Sequence, residues 1–435
     1  MSTPRIEPGR PALERFHPRI RGRFPTIDRD ARGRPRVYLN SGAGSLMVDT
    51  AMEAAAVANR TLNPMPGAIC PGEVETASFH DGVRTLVADF LGAAAGREVS
   101  FHVSTTAALF SLAFALRAFA GPKRNVVVTD LDHFANISPW ETILGRERGA
   151  KVRRAPVAAD GTLDAKQLLS LVDRGTIVLA VTMASNGLGT VPPLAEIVAD
   201  VRKKAPGCLV AVDAVHHALH GPIDVRAVGC DALAFSGYKV FGPMLGVLWV
   251  KEAVAAEIRP YRVETNKDVP PFKFEQGMLN NAALASLRAA LEYLLWLAGE
   301  AAGRGRAFAD RRQEFVSAMT AVAEYERLIS RRVLEGLRRL PRGRFTAYGL
   351  TDPDRAAERD PTFAFEIAGQ TALQTKTRLW GEHGIQIADG NHYSAAVTRN
   401  LGKPALCRAS FAHYDTSATV DQFLAALAGL TKEAK

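Results

Sequence analysis

The sequence predicts an α/β protein: a mostly parallel sheet covered on both faces by helices, followed by a smaller α+β unit. Three observations predict this. Short apolar runs, such as residues 209–212 and 231–235, end in polar residues, the pattern of strands buried on both faces. From about Val99 to Val250 such runs alternate with stretches of helical apolar spacing. After about residue 305 the tail mixes short strands and helices without that alternation. At 435 residues the chain is long for one small core.

Residues 1–35 are rich in Pro, Arg and Gly and are expected to form an arm with little structure of its own. Residues 37–39 lead into Asn40-Ser41-Gly42-Ala43-Gly44-Ser45, a turn small enough for backbone to approach something closely. A helix is expected over 50–62. The 63–72 segment, with Pro64, Pro66 and Pro71, is expected to be a loop, and a helix follows over 78–91. The alternation then runs strand 99–103, helix 105–120, strand 125–129, helix 137–148, strand 176–184 and helix 194–204. Strands at 209–213, 231–235 and 246–250 complete it. Long helices are expected over 282–298 and 311–340. The tail reads as strand 363–367, helix 371–383, strand 386–388, strand 406–413 and helix 418–430. Three parts follow: an arm over 1–45, a large domain over 46–304 and a small domain over 305–435.

Composition narrows the function classes. Apolar residues make up 47% and charged residues 23%, the balance of a globular chain. The formal net charge is +9, with arginines scattered through the arm (Arg5, Arg10, Arg15, Arg19, Arg21, Arg23) and between Arg304 and Arg344. Basic residues are not interleaved with aromatics, so nucleic-acid binding is not expected; attraction of anionic substrates is the milder reading. Cys70, Cys208, Cys230 and Cys407 have no metal-ligand spacing, and a reduced, cytoplasmic protein is expected. No apolar stretch is unbroken for the length of a membrane span, and no secretory signal is expected.

The chemistry-bearing residues stand at strand ends, where open α/β sheets place their sites. Asp213 ends one apolar run, and Ser236-Gly237-Tyr238-Lys239 ends the next. A lysine can hold an aldehyde cofactor as a Schiff base, and an aspartate can keep its pyridine nitrogen protonated. The same two residues would also serve as a buried ion pair beside a tight turn. Ser104-Thr105-Thr106 follows a strand and opens a helix, which makes either a phosphate site or a plain N-cap. His133, in Leu131-Asp132-His133-Phe134, offers a flat ring that can stack on a cofactor. Asn186, in Ala184-Ser185-Asn186-Gly187, offers an amide, although Asn before Gly is also ordinary turn chemistry. His216 lies three residues after Asp213. Together these strand ends present a phosphate site, a ring, an amide, an acid and a lysine, in that order.

The stretches YLNSGAG, STTAA, LDHFANISPW, ASNGLGT, VDAVHHALHGPID, FSGYKVFGP, KFEQGMLN and LCRASFAHYDT resemble class V aminotransferases, the group that includes cysteine desulfurases and selenocysteine lyases. They span the chain from about Val37 to Leu430. The resemblance implies an enzyme dependent on pyridoxal 5′-phosphate (PLP), with fold type I: a mostly parallel seven-stranded sheet in the large domain, the N-terminal arm packed with the small one, and a homodimer. Carried over by position, Lys239 resembles the Schiff-base lysine, Asp213 the partner of the ring nitrogen and His133 the stacking ring. Asn186 and His216 fall near the cofactor's phenolic oxygen, Thr105, Thr106 and Ser236 at its phosphate, Arg408 at the substrate carboxylate, and Asn186 and Tyr393 beside the substrate. A guanidinium fork matches a carboxylate, which is the physical reason for arginine there. No metal is implied.

Three departures qualify the resemblance. Tyr393 stands about where desulfurases carry the mobile-loop cysteine that takes sulfur. Tyr238 replaces the histidine before the lysine. Gly277-Met278 replaces a Gly-Thr contact to phosphate from a neighbouring subunit. The implied chemistry acts at the α-carbon of an amino acid: the substrate amine displaces Lys239, which then serves as general base. A C–S lyase acting by β-elimination needs no protein cysteine and ranks first. Transamination and epimerisation share its first steps; epimerisation would draw an acid from Tyr393 or His392. A non-catalytic scaffold would not need a carboxylate clamp and a Schiff-base lysine together. A nucleotide-binding protein would need a glycine-rich loop where Ser-Thr-Thr-Ala-Ala stands.

Overall fold

The computed structural model describes residues 12–62, 65–303 and 307–433. Arg5 and Arg10 of the arm, residues 63–64 of the expected loop and the expected boundary at 304/305 lie outside them.

Strand β1 (Val37–Tyr38) stands apart from the main sheet. That sheet is built from β2 (Val99–His102), β3 (Asn125–Thr129), β4 (Lys151–Ala155), β5 (Thr176–Thr182), β6 (Leu209–Asp213), β7 (Ala232–Ser236) and β8 (Gly246–Val250). Its order is β2-β8-β7-β6-β5-β3-β4, seven strands with β8 alone reversed. Every residue of β3, β5, β6, β7 and β8 is buried, which is why these strands read as unbroken apolar runs. The edge strand β4 was not expected. Its sequence, Lys-Val-Arg-Arg-Ala, carries no apolar pattern because it is half exposed, and its charge blunts the sheet edge. Arg153 pairs with Asp173, and Arg154 with Asp130 and Glu141.

A second sheet, all antiparallel, has the order β12-β13-β10-β9. Its strands are β9 (Phe345–Tyr348), β10 (Thr362–Ile367), β12 (Ala388–Gly390) and β13 (Leu406–Ser410), while β11 (Ile385–Gln386) pairs in parallel with β1. The expected strand over 386–388 is therefore two short strands in different sheets. β9 was also not expected.

The helices largely follow the apolar spacing, with four corrections. The arm is not structureless: Ala12–Phe16 and His17–Gly22 are helical, and Leu13, Ile20 and Phe24 are buried. Phe24 is held by edge-on aromatic contacts with Phe241, Tyr293 and Tyr414 at 5.7, 5.5 and 4.8 Å. The second helix starts at Pro71, because proline suits the first helical position, so the loop ends at Cys70. The expected 105–120 helix is α-helical over Thr105–Ala115 and tightens to a 3₁₀ turn over Arg117–Phe119. Residues Trp140–Arg146 wind as a π-helix.

Among the described residues, one helix, Asn281–Ala302, is long and apolar enough to cross a membrane. Its most apolar 18-residue window is 61% buried, and it packs against the helices Asp49–Thr61 and Pro71–Leu91, as a core helix does.

Candidate active site

The carboxyl ends of β3, β5, β6 and β7 open into a cavity of about 1160 Å³. Lys239, Asp213, His133, Thr105, Thr106, Asn186, His216, Ser236, Tyr393 and Arg408 all line it. The structure thus brings together every residue the sequence singled out for a site.

Lys239 closes the turn Gly237–Lys239 that follows β7. It is 3% exposed, and its Nζ donates to the Gly42 carbonyl. Burial, and then the positive charge of Arg408, push the amine down to about 7; Asp213 pulls the other way. Asp213 is the last residue of β6, and its Oδ1 accepts from the Val215 N–H at 2.9 Å. Burial raises its carboxyl to about 6, against the pull of that N–H and of Lys239. Gly42 is needed as glycine: a Cβ there would lie 2.3 Å from Ser410 Oγ and 3.2 Å from Arg408 Cζ. In the sequence Gly42 reads only as part of a turn. Its role as acceptor for a lysine 197 residues away has no local signal.

At the other end of the cavity, Ser104 caps the helix Thr105–Ala115, its Oγ accepting from Ala107 N at 3.1 Å. Thr105 Oγ1 donates to the Phe235 carbonyl at 2.7 Å and accepts from Ser236 Oγ at 2.7 Å. Both hydroxyl protons are therefore spent on fastening the helix to β7. The donors left for an anion are the first N–H groups of the helix, which have no intrahelical acceptor, and the exposed Thr106 hydroxyl. Gly246 lets β8 back onto this turn, since a Cβ there would meet Thr105 N at 2.5 Å.

His133 caps the turn Phe134–Asn136, Nδ1 accepting from Ala135 N at 3.0 Å, so the ring proton sits on Nε2. Burial, then Lys239 and Arg408, push the ring down to about 4, which keeps it neutral. Asn186 is more committed than its turn-like sequence implies. Its Nδ2 donates to the His392 carbonyl at 2.8 Å, its Oδ1 accepts from Ser394 Oγ, and its own carbonyl accepts from Arg408 at 2.7 Å. It ties the 391–394 loop to the large sheet and aims the guanidinium. Arg408, on β13, is buried, and its Nε has no partner. His216 Nε2 lies 3.0 Å from Thr362 Oγ1, and its Nδ1 has no partner.

The departures also have places. Tyr393 is 74% exposed, with φ at 56°, and its ring lies 5.5 Å from that of His133 at 31°. Its carbonyl accepts from Phe134 N at 2.8 Å. His392, the other candidate acid, spends Nε2 on the Leu406 carbonyl at 3.1 Å, and burial drives it down to about 3. Cys407 points away from Arg408 toward the Ala372 carbonyl, and burial pushes its thiol up to about 12. Tyr238 lines the cavity beside Lys239, whereas Met278 is 55% exposed and lies outside it. A buried amine, a buried acid, open helix N–H groups and the Arg408 guanidinium lining one cavity fit PLP and an amino-acid carboxylate.

The sequence pattern of the Aminotransferase class-V family matches residues 37–311 and 312–423. The chain belongs to the class V aminotransferase family. Like the rest of this family, it is a PLP-dependent enzyme. A cysteine desulfurase of Serratia proteamaculans (strain 568) is 32% identical over 95% of this chain and 98% of its own length. One from Pectobacterium atrosepticum is 32% identical over 94% and 96%. Among solved structures, the cysteine desulfurase CsdA of Escherichia coli superposes with a TM-score of 0.78 and 26% identity, over 96% of this chain and 98% of its own. The apo cysteine desulfurase of Thermococcus onnurineus NA1 shares the fold, with a TM-score of 0.80 at 24% identity over 91% and 95%. The class V fold accounts for the seven-stranded sheet and the smaller antiparallel unit.

Proposed function

We propose that this enzyme breaks the C–S bond of a cysteine-type amino acid by β-elimination and carries no sulfur on the protein. Cysteine and water would yield pyruvate, ammonia and hydrogen sulfide. One observation carries the reading: Tyr393 occupies the cavity-facing loop, while Cys407, the nearest cysteine in sequence, is buried against the Ala372 carbonyl. The named relatives, which are cysteine desulfurases, support a sulfur-bearing substrate.

Bound PLP supplies an electron sink for the α-carbon. Lys239 would hold the cofactor and then move the α-proton, a role that its burial and the nearby Arg408 charge favour by pushing the free amine down. Asp213 would accept from the ring nitrogen, and His133 would lie against the ring face. The N-terminal turn of Thr105–Ala115, with Thr106, would receive the phosphate, and Asn186 would border the phenolic side. Arg408 grips the substrate carboxylate and so fixes which α-carbon bond faces Lys239. Tyr393 walls the substrate side. An epimerase would need an acid on the face opposite Lys239, and His392 is held neutral by burial.

In this reading residues 46–304 bind the cofactor, and 305–435, with the arm, supply Arg408 and Tyr393. A homodimer covers the exposed apolar side chains Val103 and Met244, which flank the phosphate and lysine turns. Unpaired cysteines accord with a cytoplasmic setting. The test is an absorbance titration of the purified holoenzyme with cysteine, cysteine sulfinate, alanine and serine. A visible band lost in Lys239→Ala and perturbed by cysteine-type substrates is the expected result. A protein that shows no band after PLP is added would overturn the reading.

A further inference from the structure

We infer that His216, His220 and Asp360 form a binding site for one divalent first-row transition ion, zinc foremost, beside the cofactor cavity. All three are buried, at 2%, 2% and 5% exposure. One nitrogen from each histidine and one carboxylate oxygen of Asp360 lie within 4.8 Å of one another.

Hydrogen bonding decides which nitrogens are free. Thr362 Oγ1 gives its only proton to Ser410 Oγ at 3.0 Å. It must therefore accept from His216 Nε2–H, 3.0 Å away, which leaves His216 Nδ1 as a bare lone pair. His220 Nδ1 lies 2.7 Å from Glu326 Oε2, an acceptor, so Nδ1 carries the proton and Nε2 is bare. His216 Nδ1 and His220 Nε2 are also the two buried imidazole nitrogens of this cluster without a hydrogen-bond partner. The two rings meet edge to face at 5.1 Å. Both oxygens of Asp360 sit 3.2 Å from His217 Nδ1.

Each ligand thus has the outer partner that metal-bound residues use: a hydroxyl behind His216, a carboxylate behind His220 and an imidazole behind Asp360. Two imidazoles and a carboxylate suit zinc, with iron(II) the next choice. Zinc bonds of about 2.0–2.1 Å would draw the ligand atoms to about 3.4 Å apart. Since the atoms lie within 4.8 Å of one another, the largest contraction this asks for is about 1.4 Å. The charges also close, since the dication meets Asp360 directly and Glu326 through His220. An ion here joins the segment after β6 to Asp360, two residues before β10, and reaches the long helix Arg311–Leu337 through Glu326. It does not depend on the reaction proposed above.

A proton on His220 is the competing occupant, and the test separates the two. Untagged holoenzyme is equilibrated with zinc chloride, freed of excess by gel filtration and assayed for all transition metals by mass spectrometry. About one zinc per chain is expected, with a chelator lowering the thermal midpoint by at least about 3 °C. His220→Gln and the milder Asp360→Asn should each lose at least about tenfold in zinc retention while keeping the native circular dichroism. Retention of iron in place of zinc supports the site. Background metal in the folded wild type, or unchanged retention in both folded variants, overturns it.

Discussion

Replacing Arg408 with lysine keeps the positive charge and removes the fork. In the structure one guanidinium nitrogen donates to the Asn186 carbonyl at 2.7 Å, while Nε is buried without a partner. A lysine has one ammonium on a narrower stem, so it cannot hold Asn186 and also present two aligned donors to a carboxylate. One charge-assisted hydrogen bond to the substrate is lost, worth about 1.5–3 kcal/mol. That converts to a fall of roughly 10- to 150-fold in kcat/KM. Because the charge stays, the depressed amine of Lys239 should stay depressed and the cofactor band should be unchanged. The assay is pyruvate release from cysteine over a range of concentrations, with the absorbance spectrum recorded alongside. A kcat/KM within about threefold of wild type would refute the carboxylate-clamp reasoning, since a loss under about 0.7 kcal/mol is below a charged hydrogen bond.

Other consequences follow from the same geometry. Lys239 titrates at about 7 in the folded apo protein and at about 10.4 in an unfolded chain, so the unfolded chain binds the extra proton between those values. Apo-protein stability should therefore gain a contribution that grows as pH rises from about 7 to about 10, seen as a shallower acid-to-base slope in Lys239→Met; identical slopes would contradict it. Asp213, raised to about 6, acts in the opposite sense between about 4 and 6, its contribution falling as pH rises. Gly42→Ala should cost about 1–3 kcal/mol by urea unfolding and lower turnover further by displacing Arg408, because its Cβ overlaps Ser410 Oγ. Cys407→Ala should leave turnover per folded molecule within about twofold, measured as sulfide release; a loss beyond about tenfold would give that thiol a sulfur-carrying role.

The large sheet was legible because its strands are buried on both faces. Each therefore shows as an apolar run that stops at a polar residue, and Asp213, Ser236 and Lys239 could be read directly from those stops. β4 was not legible, because an edge strand half in water keeps no apolar register: Lys151, Arg153 and Arg154 read as surface charge. The arm misled for the opposite reason. Leu13, Ile20 and Phe24 are single apolar residues among arginines and prolines, and only the aromatic cluster that receives Phe24 shows why they are buried.

At the site, residue identity was easier to read than partnership. Thr105 and Ser236 looked like two phosphate hydroxyls, but their separation of 131 residues in sequence hides the hydrogen bond that joins them. Asn186 looked like a free amide; its partners His392 and Ser394 come from the other sheet's loop, more than 200 residues on. His220, Asp360 and Glu326 carried no signal at all, because their three segments meet only in the folded chain.

The measurement that tests the central claim most directly is the fate of the three-carbon product when holoenzyme turns over cysteine without any sulfur acceptor or reductant. Elimination without a protein persulfide predicts pyruvate, ammonia and sulfide in equal amounts over many turnovers. Alanine in place of pyruvate, with sulfur retained on the chain after a single turnover, would contradict it.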